Sequence, residues 1–174
     1  ANIELHDVRW VVGSKIEDTY DTLRNDWFGS SKGLHIDSYK RIRNVDGHKI
    51  NLINFDKDKI EKKQLVKKIR QKKNLWFVNI GGYNPTSMQE KHEFGLVIAS
   101  NKLEAKNIAK SKWLIGCKKK HKDDLASLEM LISCDDCELI KKIGNWEIEL
   151  TQDNSFIEEN NHPDWYGYQK IDRE

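Results

Sequence analysis

Glu4-Leu5-His6-Asp7 is matched 86 residues further along the chain by Glu90-Lys91-His92-Glu93. Trp27 and Trp113 are separated by the same number of residues. Two further matches are His35-Ile36-Asp37 with His121-Lys122-Asp123, at the same offset, and Gly47–Leu52 with Asn145–Leu150, at an offset of 98. Self-similarity at a nearly fixed offset is typical of a supersecondary unit that is used more than once. The sequence therefore predicts two copies of one unit.

The first copy changes from the period of a strand to the period of a helix. Residues 8–12 have the alternating pattern of a strand, and residues 16–27 carry apolar side chains at helical spacing. Ser14-Lys15-Ile16-Glu17 has the form of a capping box, which predicts that the helix begins at Lys15. Asp46-Gly47 is a hairpin signal that leads into a final predicted strand, residues 49–53.

The second copy repeats this order and adds a strand. Residues 94–99 predict a strand, Asn101–Glu104 a helix cap at an offset of 87, and Gly144-Asn145 a hairpin turn. Ahead of these elements lie a strong strand pattern, residues 75–80, and a predicted turn, residues 81–85. Nothing corresponds to that strand ahead of Glu4, so we expect the chain to begin inside its first unit. The expected fold class is α+β, with two copies of a strand-strand-helix-strand-strand unit, the first without its opening strand.

Composition divides the chain into four parts. We expect a first repeat over residues 1–56, a basic helical linker over 57–73, a second repeat over 74–151, and a polar aromatic tail over 152–174 that packs on a domain. The linker holds nine Lys or Arg against two acidic residues, although the net charge of the whole chain is only +2. Its candidate nucleic-acid contacts are Lys62, Lys63, Lys67, Lys68 and Arg70. Because the positive charge is confined to this one segment, a solvated connector is favoured over a nucleic-acid surface.

Composition also limits the class of protein. Charged residues make up 33% and hydrophobic residues 37% of the chain, which fits a folded protein rather than a disordered one. No apolar run is long enough to cross a bilayer, and three cysteines are an odd number for a disulfide framework. We therefore expect a cytoplasmic protein with no membrane contact. No Gly-x-Ser-x-Gly, His-Glu-x-x-His, P-loop or dinucleotide motif occurs, so no cofactor is predicted.

Four histidines of the two copies carry a carboxylate two residues away. They are His6 and His92, with Glu4 and Glu90 before them, and His35 and His121, with Asp37 and Asp123 after them. In extended backbone, residues two apart point to the same side, so each carboxylate can orient its imidazole. Such pairs suit general acid–base catalysis, metal ligation or anion binding, and they also form structural hydrogen-bonded clamps. The clamp is the favoured interpretation, because paired ionisable networks are often structural.

A second group of residues has the composition of a zinc site. Cys117, His121, Cys134 and Cys137 include a Cys-x-x-Cys gap of the right size for a tetrahedral metal knuckle. Only His121 has a counterpart in the other copy, and the spacing from Cys117 to His121 does not make a second knuckle. No metal is therefore favoured, and packing of each thiol as a small apolar group is the preferred interpretation.

Several motifs, taken together, resemble a known family. They are Glu4–Asp7, Trp27-Phe28-Gly29, Gly33–Asp37, Asn79–Tyr83, His121–Asp124 and Asp135-Asp136-Cys137. Over most of residues 2–151 the chain resembles the bacterial domain of unknown function numbered fifteen forty-three. The resemblance implies a two-copy α+β protein of bacterial origin with no assigned activity. Residues 125–134 depart from the family's pattern.

Three hypotheses for function follow from these patterns. The leading one is a non-catalytic binding or interaction module for a protein partner or a second copy, because the paired motifs include no complete catalytic constellation. The alternative is a hydrolase-like enzyme, metal-assisted in one version, with its repeated side chains converging on one pocket. Those side chains are His6, His35, His92, His121, Asp37, Asp123 and Asp124. The third is nucleic-acid binding through the linker, which predicts steep salt dependence.

Overall fold

The computed structural model describes residues 4–54, 73–84, 86–117, 136–153, 155 and 162–172. Several predictions lie outside these residues. They are the linker apart from Lys73, with its candidates Lys62, Lys63, Lys67, Lys68 and Arg70, and the residues His121, Asp123, Asp124 and Cys134. In the described ranges the fold is a set of antiparallel sheets with helices packed on them, so the α+β prediction is confirmed.

The strands and helices follow one another in a regular order. The strands are β1 His35–Tyr39, β2 Asn44–Val45, β3 His48–Asn54, β4 Asn74–Gly82, β5 Lys91–Ala99, β6 Asp136–Ile140, β7 Lys142–Ile143, β8 Trp146–Gln152 and β9 Trp165–Lys170. A 3-10 turn, Ile16–Thr19, continues into α1, Tyr20–Asp26, and α2 spans Lys102–Lys112. The described strands form three sheets, ordered β1-β9, β2-β3-β8-β7 and β5-β4-β6.

The four-stranded sheet joins two equivalent hairpins. β3 and β8 pair antiparallel with Asn51 opposite Glu149, two residues that are 98 positions apart. The hydrogen bonds that flank the two hairpins differ by the same offset: Ile50 N–H to the Arg43 carbonyl at 2.8 Å, and Ile148 N–H to the Lys141 carbonyl at 2.9 Å. The sheet is therefore locally two-fold symmetric about the Asn51–Glu149 pair. Both predicted hairpin turns are present.

Positive backbone angles explain the first of these turns. Asp46 and Gly47 have φ angles of 47° and 70°, the left-handed conformation that short hairpins require and that Asp and Gly adopt at low cost. The Asp46 carboxylate also reaches out of its own hairpin. It accepts the Ile98 N–H at 2.9 Å and pairs with the Lys112 ammonium. The first hairpin is thereby fastened to both β5 and α2.

The second helix lies on the three-stranded sheet and covers the deepest core. Val78, Ile80 and Val97 are fully buried beneath it, and Ala105 and Ala109 of α2 are buried as well. Small alanines on the packing face of α2 let the helix approach strands that carry large β-branched side chains. At about 25 cal/mol per Å² of apolar area buried, each such side chain contributes about 2 kcal/mol.

A second apolar cluster lies between the sheets and draws on both halves of the chain. Its buried members are Val45, Leu75, Phe77, Ile98 and Ile140. Trp10 packs against it with its ring edge-on to Phe77, at a centroid distance of 5.5 Å. Val45 and Ile143, both in this cluster, are again 98 residues apart. This cluster therefore holds the two hairpins on β4 and β5.

The first helix lies on a smaller sheet that the end of the chain completes. β9 pairs antiparallel with β1, and the pairing is irregular between Ile36 and Ser38. Ile171, just after β9, is 3% exposed and donates its N–H to the Leu34 carbonyl at 2.9 Å. The Arg24 guanidinium of α1 donates to the Ile171 carbonyl. The last described residues thus connect α1 with β1.

The structure corrects three local predictions. Residues 8–12 do not form a strand: Val8 and Trp10 pack on the cluster between the sheets, and no strand ladder includes them. Gly81 and Gly82 do not form a turn but continue β4, opposite His92 and Lys91. The helical pattern over residues 16–27 also runs one residue too far, because α1 ends at Asp26.

The predicted offset of 87 residues between the two helix caps is wrong as well. The first helix is capped through Asp18, not Glu17: Asp18 Oδ2 accepts the Ser14 N–H at 3.1 Å. The corresponding bond in the second helix runs from the Ser100 N–H to Glu104 Oε2 at 2.8 Å, 86 residues further on. This hydrogen bond lowers the pKa of Glu104. The prediction chose Glu17 because a standard capping box has its acidic residue three positions after the cap, and Glu17 lies three positions after Ser14.

Candidate functional site

The candidate site residues of the first copy lie close together in the structure. Glu4, His6, His35 and Asp37 form one group, here called the His–carboxylate cluster. His35 Nε2 lies 3.1 Å from Asp37 Oδ1 and 3.4 Å from Glu4 Oε1. His6 Nε2 lies 3.4 Å from Asp37 Oδ2 and 3.9 Å from Glu4 Oε2. Each carboxylate therefore bridges the two imidazoles, and nitrogen and oxygen atoms alternate around a ring.

The members of this cluster differ in burial. The His35 side chain is 11% exposed, whereas those of Glu4, His6 and Asp37 are between 53% and 62% exposed. His35 is thus the buried member of the cluster, and the other three side chains are accessible to solvent. Ion pairs this exposed contribute about 0–1 kcal/mol each, so these three side chains add little to the stability of the fold.

The orientation of His35 is set by backbone and by the tail strand. His35 Nδ1 lies 2.8 Å from the Gly33 carbonyl, an atom that only accepts, so Nδ1 carries the hydrogen and donates it. Tyr168 of β9 stacks on the imidazole with a centroid distance of 4.0 Å. With one nitrogen and one face of the ring committed, Nε2 points at Glu4 and Asp37.

The position of His35 also depends on a contact between Gly33 and Asp172 that was not predicted from the sequence. Gly33 has a φ of 80°, and its N–H donates to Asp172 Oδ2 at 2.9 Å. That hydrogen bond is the main cause of the lowered pKa of Asp172. Asp172 therefore anchors the loop whose carbonyl orients the imidazole. Gly33 belongs to a motif recognised in the sequence, but nothing in the local pattern could connect it to a residue 139 positions away.

The second copy shows the corresponding pair in part. His92 Nε2 lies 3.6 Å from Glu90 Oε2, and His92 is paired with Gly81 in the β4–β5 ladder. Glu90 Oε1 is buried and has no hydrogen-bond partner in the described ranges. A buried carboxylate oxygen without a donor is costly, so this position favours a positively charged or donating neighbour. His121 and Asp123, the expected neighbours, lie outside the described residues.

The candidate zinc ligands of the sequence are also described only in part. Cys117 is a half-buried free thiol, and Cys137 is buried with the core beneath α2. Cys134 and His121 fall outside the described ranges. As the side chains stand, no group of three or more His, Cys, Asp or Glu in those ranges is arranged to hold a metal ion.

The cluster is largely exposed, and two cavities of the described part of the chain lie away from it. One cavity of about 220 Å³ lies between the sheets and is lined mainly by β4 and β8 residues such as Leu75 and Leu150. A second, of about 140 Å³, lies beneath the first helix beside Tyr20 and Trp165. No member of the cluster lines either cavity. Over the described residues, no helix has the length and apolar character needed to span a membrane.

These features define the class: an α+β protein with a cluster of two histidines and two carboxylates on its surface. The family model for the Domain of Unknown Function (DUF1543) matches residues 1–52 and 87–139, and the chain belongs to this family. Among solved structures, it is similar to the protein Il1583 from Idiomarina loihiensis, with 30% sequence identity and a TM-score of 0.65. That match covers 98% of this chain and 88% of the other. No curated protein matches the chain. The predicted family is confirmed, and neither match indicates a catalytic class.

Proposed function

We propose that this chain is a non-catalytic binding module built from a tandem repeat, with the His–carboxylate cluster as its binding face. One observation carries the proposal. Four residues from two distant segments meet at the surface, and their described contacts involve carboxylates, the Gly33 carbonyl and Tyr168. A catalytic His normally contacts a nucleophile or a reacting group in a concave pocket.

The same proposal includes the domain boundaries of the chain and its location in the cell. The repeats would span residues 1–56 and 74–151, joined by the linker 57–73, with residues 152–174 as a tail on the first repeat. β9 and its pairing with β1 support that position of the tail. The free thiol of Cys117 supports a reducing, cytoplasmic location. A protein partner or a second copy is the expected ligand, and nucleic acid is not.

A hydrolase-like activity is the competing proposal, and one observation favours it. His6, His35 and Asp37 do converge, as that hypothesis requires. They converge on an exposed ring, however, and both described cavities lie elsewhere. The binding module is therefore the better supported function.

Binding at the cluster is tested by nuclear magnetic resonance. A ¹⁵N-labelled chain is titrated with a library of small charged and aromatic compounds, and with a second copy by raising the protein concentration. We expect amide shifts that concentrate at His6, Gly33, Asp37 and Tyr168 and that disappear in Glu4→Gln/Asp37→Asn. Shifts confined to other surfaces would show that the cluster is not the binding face.

Catalysis is tested in parallel with chromogenic esters and phosphates. Wild type, His35→Ala and the control His48→Ala are compared, because His48 Nδ1 also lies 2.8 Å from a carbonyl two residues earlier, that of Asp46. We expect the same background hydrolysis in all three. A turnover that is lost only in His35→Ala, with unchanged circular dichroism, would replace the binding module by the hydrolase.

A further inference from the structure

We propose that residues 8–12 are a docking edge for an extended polypeptide segment, which adds to them as an antiparallel β-strand with apolar side chains on both of its faces. This docking edge goes beyond the proposed function, because it is a second surface, separate from the His–carboxylate cluster, and it takes a different ligand. The second copy of the repeat contains both the edge and the strand that fills it.

The counterpart of residues 8–12 in the second copy is paired along its whole length. At the 86-residue offset these residues correspond to residues 94–98, which lie within β5. Every residue of β5 is paired with β4. In the described part of the chain, residues 8–12 belong to no ladder, and the Val8 N–H, which Asp7 accepts, makes their only backbone hydrogen bond. Open backbone donors and acceptors in a half-buried segment are a template for strand addition.

Residues 8–12 face their surroundings as β5 does. Trp10 packs on the apolar cluster between the sheets, and so does its counterpart Leu96. Side chains of an extended segment alternate between its two faces, so Val11 lies on the face opposite to Trp10. Its counterpart Val97 lies in the core beneath α2. The first segment therefore presents the same two faces as β5 without the partner strand.

The side of this edge that faces the first helix is less well filled than its counterpart. Three core positions of the second layer are at most 9% exposed, namely Val97, Ala109 and Trp113. Their counterparts 86 residues earlier are also apolar but only half-buried, namely Val11, Leu23 and Trp27. In the second layer, β4 closes the core with Val78 and Ile80, which are fully buried. No described strand pairs with residues 8–12 to do the same.

The tail strand does not take the place of β4 in the first layer. β9 pairs with β1, and apart from the half-buried Trp165 its residues are exposed. A strand at the centre of a sheet covered by a helix is buried along most of its length, as β4 is. β9 is therefore an outer strand, and its pairing with β1 leaves the edge at residues 8–12 open.

The chemistry of the occupant follows from β4. Val78 and Ile80 of β4 lie in the core beneath α2, whereas Leu75 and Phe77 lie in the cluster between the sheets. A segment on residues 8–12 meets the same two kinds of surroundings. An extended polypeptide supplies apolar side chains on both faces together with backbone N–H and C=O groups at the spacing of a ladder. A helix uses those groups internally, so it does not fit this edge.

A peptide titration tests the docking edge. A fluorescent peptide with the sequence of β4, residues 74–82, and a lysine at each end is titrated with the full chain and followed by anisotropy. We expect one saturable site and at least about tenfold weaker binding of the Val78→Pro peptide, because proline lacks the N–H that a ladder needs. Bound peptide should also slow amide hydrogen exchange at residues 9–12 of the ¹⁵N-labelled chain at least about tenfold.

Two variants of the chain assign the signal. Val11→Arg places a charge on the face that the docked strand would cover, so it should weaken binding at least about tenfold. Leu103→Arg introduces the same charge at a position of α2 that is 62% exposed, and it should bind like wild type. The Val78→Pro peptide keeps the test decisive if Val11→Arg does not fold.

The contrary outcomes are specific. The docking edge would be overturned by an absence of peptide binding, by equal binding of the Val78→Pro peptide, or by unchanged binding in a folded Val11→Arg chain. Slower exchange confined to β5 or β9 would overturn it as well, because the peptide would then have displaced β4 or added to the tail strand. The His–carboxylate cluster is tested separately by its own amide shifts, so neither result decides the other.

Discussion

Two helix-on-sheet layers in the described part of the chain share a pattern but not a core. Both helices are eleven residues long and begin 86 residues apart, at Ile16 and Lys102. The second lies over three strands and covers Ile80 and its neighbours, which are fully buried. The first lies over two strands, and among its eleven residues Thr19 alone is buried. Burial is therefore set by the sheet beneath a helix, because a central strand is covered on both edges and a two-stranded ribbon is not.

The largest expected effect comes from replacing two corresponding isoleucines, one beneath each helix. Ile80 lies in β4 beneath α2, and the half-buried Ile36 lies in β1 beneath the first helix. Ile80→Ala should lower the free energy of unfolding by about 3–4 kcal/mol, the transfer and cavity cost of a buried isoleucine. Ile36→Ala should cost about half as much, because the cavity beside it is already open to solvent.

Urea unfolding followed by circular dichroism measures both values. Equal losses for the two variants would mean that the first layer is as tightly packed as the second. Ile80→Val serves as the conservative control and should cost about 1 kcal/mol.

The second test removes the contact that ties the first hairpin to the second layer. Asp46 accepts from Ile98 and pairs with Lys112, whereas position 144, which corresponds to it, is a glycine. Asp46→Gly keeps the left-handed turn and deletes the carboxylate, so the loss isolates these contacts. We expect about 1.5–2 kcal/mol, since a hydrogen bond to a charged group is stronger than a neutral one.

The control for Asp46→Gly is Lys112→Met, which keeps the Ile98 hydrogen bond and removes only the ion pair. It should cost less than 1 kcal/mol. If Lys112→Met equalled Asp46→Gly, the ion pair alone would account for the docking of the hairpin.

The elements that could be predicted from the sequence are those with a local signal. The Asp46-Gly47 hairpin, the strand around residues 75–80 and the helix beginning at Lys102 each carry their own turn, alternation or cap. The strand predicted at residues 8–12 failed because alternation indicates a buried face but not a partner strand. Trp10 uses that face to pack on Phe77 instead.

The candidate site also contains residues with a local sequence signal and residues without one. Glu4, His6, His35 and Asp37 could be predicted, because the repeat singles them out and the two-residue spacing puts each pair on one side of the backbone. Tyr168 and Asp172 could not, because their role depends on β9 pairing with β1 across more than 120 residues of chain. Long-range pairing of this kind leaves no local pattern in the sequence.

The third test concerns the caps of the two helices. Asn101 Oδ1 accepts the Glu104 N–H at 2.9 Å, whereas Lys15, at the corresponding position, makes no side-chain cap. Asn101→Ala should therefore cost about 1 kcal/mol, and Lys15→Asn should stabilise the protein by up to about 1 kcal/mol. Thermal unfolding of both variants and of the double variant checks these values. A Lys15→Asn variant less stable than wild type would show that the first helix cannot use the added cap.

The smallest test uses pH to examine how the tail is attached to the first layer. The pKa of Asp172 is lowered, mainly by the hydrogen bond from the Gly33 N–H. A carboxyl whose pKa is lower in the folded state stabilises the fold above its unfolded pKa, about 3.9, and loses that contribution as the pH falls through the folded value. Asp172→Asn should therefore be less stable than wild type at pH 5–7, and the difference should shrink below about pH 4.

Urea midpoints of both proteins across this range provide the measurement, and the amide shift of Gly33 reports the same bond directly. A difference that stayed constant down to about pH 2 would mean that Asp172 supports the tail by packing and not by its charge. The anchor of His35 would then lie in β9 itself, through the stacked ring of Tyr168.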